Sequence, residues 1–448
     1  MSESVNTRAI VLDILMEINE NGGYSHLTIN NALKKFQYLD KQDRAFITRL
    51  SQGTVEKLIY LDYVIDLYSK VCVKKMKPLI RNLMRMSVYQ ILFMDNVPDS
   101  AVCNEAVKIT VKRKFTTLKG FVNGVLRNIA RNKDDIKEPE SLGIKYSMPE
   151  WIVNEWKAVY GREKLVKMLG AFEEESPTYV MCNTNKCSLD EITESLRKQG
   201  VMVEEVNGIK NALKISDYDY IAGLEVFRQG LINVQDISSM LVGIVASPAK
   251  GNKVIDVCAA PGGKSVHMAL MMQETGVVDA RDISENKVYQ MQETVRRIGL
   301  SNMQVNVQDA LILKEQDVES ADIVLCDLPC SGLGIIGRKS DIKYKMTQEK
   351  QEELVKLQRE ILKVVHRYVK PGGRLIFSTC TINQKENEEN VRWIEENLGL
   401  KPESLLDSVP KKFVVDETTK KTAEKGYIQL LPGVHGTDGF FISKFVKE

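Results

Sequence analysis

KVIDVCAAPGGKS, residues 253–265, is the stretch that decides the fold of the second half of the chain. Its first part has the β-branched residues of a buried strand, and PGGK at residues 261–264 predicts a tight turn at the start of a helix. A Walker phosphate loop needs a glycine five residues before the glycine of its Gly-Lys pair, and Cys258 occupies that position. The Rossmann fingerprint Gly-x-Gly-x-x-Gly is also absent. The turn therefore predicts a backbone that approaches a ligand closely, without a phosphate cradle.

From about residue 230 onward, short apolar strands alternate with amphipathic helices. This alternation indicates parallel strands joined by crossover helices, which is the pattern of a doubly wound sheet. The predicted strands are residues 253–258, 275–282, 303–310, 321–329 and 372–380, and the predicted helices around them are residues 264–274, 284–299, 347–369 and 386–397.

The sequence before residue 230 has a different pattern. Residues 6–131 carry apolar side chains at three- and four-residue spacing, which predicts a set of amphipathic helices. A polar linker follows, then two short helices from about residue 148, and then short strands around a further helix. We therefore expect three domains. They are an all-α domain over residues 1–135, a small α+β connector over residues 136–229 and an α/β catalytic domain over residues 230–448.

Composition and charge limit the classes of protein to which the chain can belong. The 448 residues are 43% hydrophobic and 27% charged, as in ordinary globular proteins, and no apolar stretch is long enough to span a bilayer. Residues 1–133 hold 21 Lys and Arg against 12 Asp and Glu, which suggests a polyanionic partner for the helical domain. Four histidines and eight scattered cysteines, with no Cys-x-x-Cys pair, argue against a zinc site and a disulfide framework. We expect a cytoplasmic monomer without a metal and without membrane contact.

Polar residues follow each predicted strand of the sheet. They are the loop from Cys258 to Lys264, Asp282, Asp309, the segment from Asp327 to Cys330, and Cys380. In an open α/β sheet, ligands bind at the carboxyl ends of the strands, so these residues predict one site. An acid at the end of the second strand can hold ribose hydroxyls, although a helix cap is the alternative for Asp282. A nucleoside without phosphates fits such a loop, and S-adenosylmethionine is the cofactor that we predict.

Two cysteines in this set predict covalent catalysis. C5 of cytosine is a poor nucleophile towards a methyl sulfonium, but a thiolate that adds to C6 turns the ring into an enamine-like species whose C5 can attack. Such a scheme needs a nucleophile, an acid near N3 and the exocyclic amine, and a base for the C5 proton. Cys380, Asp327 and Cys330 fit these three roles. Packing is the alternative, because free cysteine is more often a small buried apolar residue than a reagent.

Four stretches resemble the RNA cytosine-C5 methyltransferases of the Sun/Fmu (NOL1/NOP2/Sun) family. They are DVCAAPGGKS, ADIVLCDLPCSGLGIIGRKSDIKY, GGRLIFSTCTINQKENEENV and LLPGVHGTDGFFISKF. The N-terminal stretches DKQDRAFITRLSQGTVEKL, VPDSAVCNEAVKI and GFVNGVLRNI are similar to NusB-like RNA-binding domains. Together they look like the bacterial 16S ribosomal RNA (cytosine-C5) methyltransferases of the RsmB type. The resemblance implies an all-α NusB-like domain, a small α+β connector and a Rossmann-like (class I) S-adenosylmethionine-dependent methyltransferase domain, with structured RNA, above all 16S rRNA, as partner.

The resemblance also implies a role for each residue of the site. The family's nucleophile matches Cys380, and the cysteine that assists product release matches Cys330. Asp327 belongs to both the catalytic and the cofactor-binding set. The residues that match the cofactor-binding positions are Cys258, Ala259, Ala260, Pro261, Gly262, Gly263, Lys264, Asp282, Asp309 and Asp327.

Two departures from the family pattern concern the substrate more than the chemistry. Leu328 stands where the family's Asp-x-Pro-Cys motif has alanine, and Ser340 replaces a proline in the following loop. A basic cluster lies in that loop, and we interpret it as phosphate contacts to RNA. Its members are Arg338, Lys339, Lys343 and Lys345. Two alternative functions stay open, namely the same chemistry on tRNA, DNA or another RNA, and a non-catalytic RNA-binding or assembly factor.

Overall fold

The computed structural model describes residues 5–448. Its helices, in chain order, are α1 Thr7–Asn19, α2 Ser25–Lys35, α3 Lys41–Glu56, α4 Leu58–Tyr68, α5 Pro78–Phe93, α6 Asp99–Lys112, α7 Lys119–Arg131, α8 Leu142–Lys145, α9 Glu150–Ala171, α10 Leu189–Lys198, α11 Glu225–Arg228, α12 Ile237–Ala246, α13 Gly263–Met271, α14 Glu285–Ile298, α15 Ile342–Lys345, α16 Gln348–Val365, α17 Glu388–Asn397 and α18 Glu417–Glu424. Its strands are β1 Thr178–Cys182, β2 Met202–Glu205, β3 Ala212–Ser216, β4 Ile232–Val234, β5 Lys253–Asp256, β6 Val277–Asp282, β7 Met303–Val307, β8 Ala321–Asp327, β9 Val369–Thr379, β10 Leu400–Pro402, β11 Tyr427–Leu430 and β12 Phe440–Lys447. Within this described part, none of the helices combines the length with the apolar character that a bilayer-spanning segment needs.

The described residues form two compact units. The first contains residues 5–173 together with residues 338–345, and the second contains residues 174–337 and 346–448.

The first unit is all-α, as the sequence predicts. Helices α1 to α7 contribute buried apolar side chains to one core, which includes Leu15, Leu50 and Leu83. The periodic pattern over residues 41–69 predicts a single helical run, but the structure has two helices there. Lys57 leaves the helical conformation (φ −97°, ψ 17°) between α3 and α4.

A segment from the second half of the chain, residues 338–345, belongs to the first unit. Ser25 donates to the Asp341 carboxylate through its backbone N–H, at 3.1 Å, and through its hydroxyl group. Lys343 Nζ donates to the carbonyl oxygen of Glu56 at 2.9 Å. Lys343 is only 3% exposed, and burial lowers its pKa to about 7. The interpretation of Lys343 as an RNA phosphate contact is therefore wrong, because its amino group is bound inside the protein.

The second unit begins with a small antiparallel sheet of strand order β2-β3-β1-β4. Helix α10 starts at a capping box, in which Ser188 and Glu191 each bind the other's backbone N–H. Its buried Ile192 and Leu196 pack in the same core as residues of β1 and β3. This is the predicted α+β connector. Strand β4 lies beyond residue 229, so the small sheet draws on residues from both sides of the predicted connector boundary.

The remainder of the second unit is built on a sheet of strand order β10-β12-β9-β8-β5-β6-β7, with β11 paired to β12. Strands β9, β8, β5, β6 and β7 run parallel, as predicted from the alternation of strands and helices. Consecutive residues of β8, such as Leu325 and Cys326, belong to two different cores. Residues of α12, α13 and α14 fill one core and residues of α16 and α17 fill the other. The sheet is therefore covered by helices on both faces, which is the doubly wound arrangement.

The antiparallel edge of this sheet is the part that the sequence pattern does not predict. Strand β12 pairs antiparallel with β9 on one side, and with β10 and β11 on the other. Strands β10 and β11 are only three and four residues long, which is too short for a recognisable alternation of apolar and polar residues.

His267 gives the second unit a stability that depends on pH. Its ring lies in α13 against Gly243 of α12, where an added Cβ would come within 2.6 Å of Nδ1, and burial lowers the pKa of His267 to about 4. Histidine in an unfolded chain titrates near 6.5. As the pH falls between these two values, the unfolded chain binds a proton that the folded chain excludes, so the folded state loses about 3 kcal/mol.

The His267→Phe variant isolates this effect from the other titrating groups. We expect the difference in free energy of unfolding between wild type and variant, measured with urea, to shift by about 3 kcal/mol from pH ~7 to pH ~4. The free energy of unfolding of wild type should fall by this amount as the pH falls, and that of the variant should not show this loss. An identical pH dependence in both proteins would show that His267 has the same pKa in the folded chain as in the unfolded chain, which would contradict this prediction.

Candidate active site

The two predicted catalytic cysteines follow neighbouring strands. Strand β8 ends at Asp327 and β9 at Thr379, and the parallel register pairs Asp327 with Ser378 at its last step. Parallel strands bring their carboxyl ends to one edge of the sheet. Cys330 Sγ and Cys380 Sγ meet there, 3.3 Å apart, which is within hydrogen-bond distance for sulfur. The structure thus brings together two thiols that are 50 residues apart in the sequence.

The surroundings of Cys330 favour its protonated form. The hydrogen bond with Cys380 and burial raise the pKa of Cys330 well above its usual value, and the carboxylates of Glu386 and Asp327 act in the same direction. The raised pKa of Cys330 favours the arrangement in which the Cys330 thiol is the donor to Cys380 Sγ. This order suits a nucleophile at Cys380, because the thiolate is the reactive form of cysteine and the accepting sulfur is the one that can carry the charge.

Lys264 and Asp327 form an ion pair beside the thiols. Lys264 Nζ donates to Asp327 Oδ2 at 2.6 Å, and the Ser378 hydroxyl donates to Asp327 Oδ1 at 2.8 Å. Burial alone would lower the pKa of Lys264, but the Asp327 carboxylate outweighs it and the pKa is raised. Cys380 adds to this rise, so the lysine charge lies within electrostatic range of the sulfur. A fixed cation near a thiol favours the thiolate form.

The predicted cofactor loop connects β5 to α13. The Ala259 N–H donates to the carbonyl oxygen of Arg281 on β6 at 2.7 Å, and the Gly262 N–H closes the turn by donating to the Ala259 carbonyl at 2.6 Å. Gly262 has a φ of 97°, a conformation that residues with a Cβ rarely adopt. A Cβ at this position would also lie 3.2 Å from Met291 Cγ. The turn therefore requires glycine at position 262, and the backbone of Gly262 and Gly263 stays free for close approach by a ligand.

The two predicted acids lie at the carboxyl ends of the next two strands, since Asp282 is the last residue of β6 and Asp309 follows β7. Asp282 Oδ1 accepts from the Ser284 N–H at 2.9 Å at the start of α14, so the capping alternative is present in part. Asp282 Oδ2 lies 3.8 Å from Lys287 Nζ, and this distance is too long for a hydrogen bond. Asp282 Oδ2 can therefore accept a hydrogen bond from a hydroxyl group of a ligand. Asp309 Oδ1 accepts from the Leu311 N–H at 2.9 Å. Asp282 thus combines a structural contact with an oxygen suited to a ribose.

Shared electrostatics connect these strand ends into one site. Burial raises the pKa of Cys258, and the carboxylates around it, Asp282 and Asp327 among them, raise it further. The cofactor loop therefore lies within electrostatic range of the acids that end β6 and β8. Asp309 is joined through its neighbour Gln308, whose N–H donates to the Asp282 carbonyl at 3.1 Å. The predicted site residues all lie at or just beyond the carboxyl ends of the parallel strands.

Sequence reasoning missed two groups of buried polar residues at this edge. Asp256 ends β5, where burial raises its pKa to about 7 and the Ser265 hydroxyl donates to it at 2.5 Å. A second network lies next to the cysteines, and its members are Ser331, Gln358, Thr381, Glu386, Asn387 and Asn390. Its signal in the sequence is the run KENEEN at residues 385–390, but such a run ordinarily lies exposed at a helix start. Within residues 5–448, no group of three or more His, Cys, Asp and Glu side chains has the arrangement of a metal site.

Comparison with known proteins identifies the family. A Bacillus subtilis (strain 168) protein named "Probable ribosomal RNA small subunit methyltransferase B" is 34% identical over 454 residues, which cover 100% of both chains. The chain belongs to the RsmB/F family of methyltransferases. The family model described as "16S rRNA methyltransferase RsmB/F" matches residues 243–446, the NusB family model matches residues 5–131, and the RsmF/B-like ferredoxin-like domain model matches residues 148–219. The chain is thus an RNA methyltransferase of the S-adenosylmethionine-dependent RsmB/Sun type, with the three kinds of domain that the sequence predicts.

One solved structure resembles the fold over the whole chain, and a second resembles it over about two thirds. The crystal structure of PH0851 is 26% identical, covers 99% of each chain and has a TM-score of 0.82. A methyltransferase homologue from Pyrococcus horikoshii is 28% identical with a TM-score of 0.59, over 68% of this chain and 97% of that chain. Both likenesses support the fold described above.

Proposed function

We propose that this chain transfers a methyl group from S-adenosylmethionine to C5 of one cytidine in 16S ribosomal RNA, through a covalent bond between Cys380 and C6 of the base. The observation that carries the proposal is the pair of sulfur atoms 3.3 Å apart, beside the Lys264–Asp327 ion pair, at the carboxyl edge of the sheet. Two thiols at this distance supply a nucleophile and a proton-transferring partner at one point, which is what substitution at C5 requires.

Cys380 acts first in the proposed mechanism. Its thiolate forms a bond to C6 of a base that has left its stack, and the ring electrons move to C5. The Asp327 carboxyl group is assigned to the ring's N3 and exocyclic amine, where it favours the addition. C5 then forms its new carbon–carbon bond with this electron pair. Loss of the C5 proton lets the S–C6 bond break and returns Cys380 to its thiolate form.

Cys330 is assigned to the release step. Once Cys380 is bonded to carbon, its negative charge is gone, and with it a principal cause of the raised pKa of Cys330. Cys330 can then lose its proton to solvent and take the proton from C5. One proton is released in each turnover, which balances the methyl group that the RNA gains from a sulfonium.

The chain's residues fit S-adenosylmethionine as cofactor. The turn from Ala259 to Gly263, with its two glycines, and the Oδ2 of Asp282 suit a nucleoside without phosphates. When bound, this cofactor supplies an electrophilic methyl group and leaves as a neutral thioether. Residues 258–264, Asp309 and Asp327 complete the proposed cofactor-binding set.

Three observations favour ribosomal RNA over the alternative substrates. The NusB family model matches residues 5–131, the net charge of residues 1–133 is positive, and the curated relatives carry names of small-subunit rRNA methyltransferases. The paired thiols argue against a non-catalytic assembly factor, which would have no use for them. A 16S rRNA substrate would place the protein in the cytoplasm. The monomeric state, the absence of a metal and the domain boundaries at residues 135 and 229 stay predictions.

A methyl-transfer assay on purified protein tests the proposed function. Deproteinised 16S rRNA from cells that lack the enzyme is incubated with S-adenosylmethionine, digested to nucleosides and examined by mass spectrometry. We expect 5-methylcytidine at one position, mapped by bisulfite sequencing. Transfer to tRNA alone would overturn the substrate, methylation at another atom would overturn the chemistry, and absence of transfer to both free rRNA and assembling 30S particles would favour an assembly factor.

A further inference from the structure

Pairing between β8 and β9 stops before the two cysteines. The last paired residues are Asp327 and Ser378, so Cys330 and Cys380 lie on loops that the sheet no longer holds together. One hydrogen bond connects the loops, from the Gly334 N–H to the Cys380 carbonyl oxygen at 3.0 Å. A reaction that depends on two sulfur atoms needs further contacts between these loops, because an error of about 1 Å in a reacting geometry can cost about 10²-fold in rate.

Glu386 connects the two loops. Its Oε2 accepts from the Ser331 N–H at 2.9 Å, and its Oε1 accepts from the Ser331 hydroxyl. The Ser331 hydroxyl oxygen lies 2.6 Å from the Thr381 hydroxyl oxygen. Because the Ser331 proton is directed to Glu386, the Thr381 hydroxyl is the donor to Ser331. A continuous set of hydrogen bonds thus joins the residue after Cys330 to the residue after Cys380.

Two further side chains hold the carboxylate itself in place. Gln358 Nε2 donates to Glu386 Oε2 at 3.0 Å and to the Pro329 carbonyl at 2.9 Å. Asn390 Nδ2 donates to Gln358 Oε1 at 2.8 Å and to the Glu386 carbonyl at 3.0 Å. Gln358, Glu386 and Asn390 are each 0% exposed. A carboxylate buried this deeply is costly unless its hydrogen bonds are satisfied, so the network fixes one arrangement of both loops.

We infer that Glu386 is a positioning residue, which holds the Cys330 and Cys380 loops at the separation that methyl transfer needs. The inference rests on the proposed covalent mechanism, and it assigns to Glu386 an action through Ser331 and Thr381.

The charge of Glu386 has a second consequence for Cys330. The carboxylate is among the groups that raise the pKa of Cys330, after the hydrogen bond with Cys380, burial and the charge of Cys380. Replacement of Glu386 by glutamine removes this negative charge while it keeps the size of the side chain. The Cys330 thiol should then ionise at lower pH.

Steady-state kinetics of Glu386→Gln test the positioning role. The matched control is Glu389→Gln, which makes the same change in the first turn of α17. We expect kcat to fall about 10²-fold in Glu386→Gln, with the KM for RNA within about threefold of wild type, and the control to resemble wild type. A kcat equal to that of the control, or a raised KM with unchanged kcat, would overturn the inference.

Thiol titration tests the same connection without RNA. In a Cys380→Ser background, the alkylation of Cys330 by iodoacetamide is followed against pH by mass spectrometry, with and without Glu386→Gln. We expect the profile to move to lower pH in the double variant, and an unmoved profile would overturn the link between Glu386 and Cys330. If the profile moves while wild type forms no 5-methylcytidine, the proposed function fails and the loop connection stands.

Thr381 provides a second test in case Glu386→Gln does not fold. Thr381→Val removes the hydroxyl group at nearly constant shape, whereas Thr381→Ser keeps it. We expect kcat to fall at least about tenfold in Thr381→Val and to stay within about threefold of wild type in Thr381→Ser. Equal activity of the two variants would show that the hydrogen bond to Ser331 does not set the geometry.

Discussion

Cys380→Ser should lower methyl transfer to 16S rRNA at least about 10³-fold, because a hydroxyl group is a far weaker nucleophile than a thiolate and cannot form the C6 adduct at a useful rate. The substitution removes one sulfur atom and leaves the backbone of β9 in place. Binding of S-adenosylmethionine, measured by calorimetry, should therefore stay within about threefold of wild type. Incorporation of methyl groups into RNA under single-turnover conditions is the measurement.

The matched control for this variant is Cys72→Ser, which changes an exposed cysteine of the first unit in the same way. It should retain the activity of wild type. Normal turnover in Cys380→Ser would show that the thiol is a packing residue. Loss of cofactor binding in the same variant would show that Cys380 supports the fold of the site and leave the nucleophile unassigned.

Cys330→Ala should accumulate a covalent protein–RNA adduct. Addition of Cys380 to C6 and methylation of C5 need no sulfur at position 330, but release needs a base for the C5 proton. The Sγ atom of Cys330, 3.3 Å from that of Cys380, is the group assigned to this task. We expect a species of retarded mobility on a denaturing gel in most of the protein after one turnover, together with a loss of multiple turnover of at least about 10²-fold.

The double variant Cys330→Ala/Cys380→Ser is the control for adduct formation. It should give no retarded species, since it lacks the nucleophile. An adduct of equal yield in the double variant would place the covalent bond on another residue. Free turnover in Cys330→Ala would transfer the role of base to a different group.

The architecture of the parallel sheet could be predicted because its signals are local and repeated. Strands β5, β6, β8 and β9 are each followed by a helix in the sequence, and the parallel pairing of the sheet follows from that alternation. Strands β10 and β11 at the antiparallel edge could not be predicted, because strands of three or four residues carry too little pattern. The docking of residues 338–345 in the first unit could not be predicted either. Its basic side chains have the composition of an RNA-binding loop, and only tertiary contacts show that Lys343 is buried.

Some residues of the candidate site could likewise be predicted from the sequence, and others could not. Cys330 and Cys380 could be predicted because each follows the end of a strand, and strand ends of one parallel sheet meet. The partner of Lys264 could not, because Asp327 is 63 residues away and only the register of β5 and β8 brings them together. Glu386 was hidden for a related reason. A glutamate just before a helix is ordinarily an exposed residue, and its burial depends on contacts with Ser331 and Gln358 from distant parts of the chain.

The charged groups around the two sulfur atoms act differently on Cys330 and on Cys380. Cys330 holds its proton because Cys380, burial and nearby carboxylates all raise its pKa. Lys264, held by Asp327, keeps a positive charge near Cys380. The proposed mechanism uses this difference between two chemically identical side chains, with Cys380 as nucleophile and Cys330 as the group that takes the C5 proton.

Mapping of the covalent bond in the Cys330→Ala adduct tests the central claim most directly. The adduct formed with 16S rRNA is digested with protease and nuclease, and the cross-linked peptide is sequenced by tandem mass spectrometry. The account predicts a single cytosine, methylated at C5, attached through C6 to the peptide that contains Cys380. A cross-link to any other residue, or a trapped base other than cytosine, would contradict it.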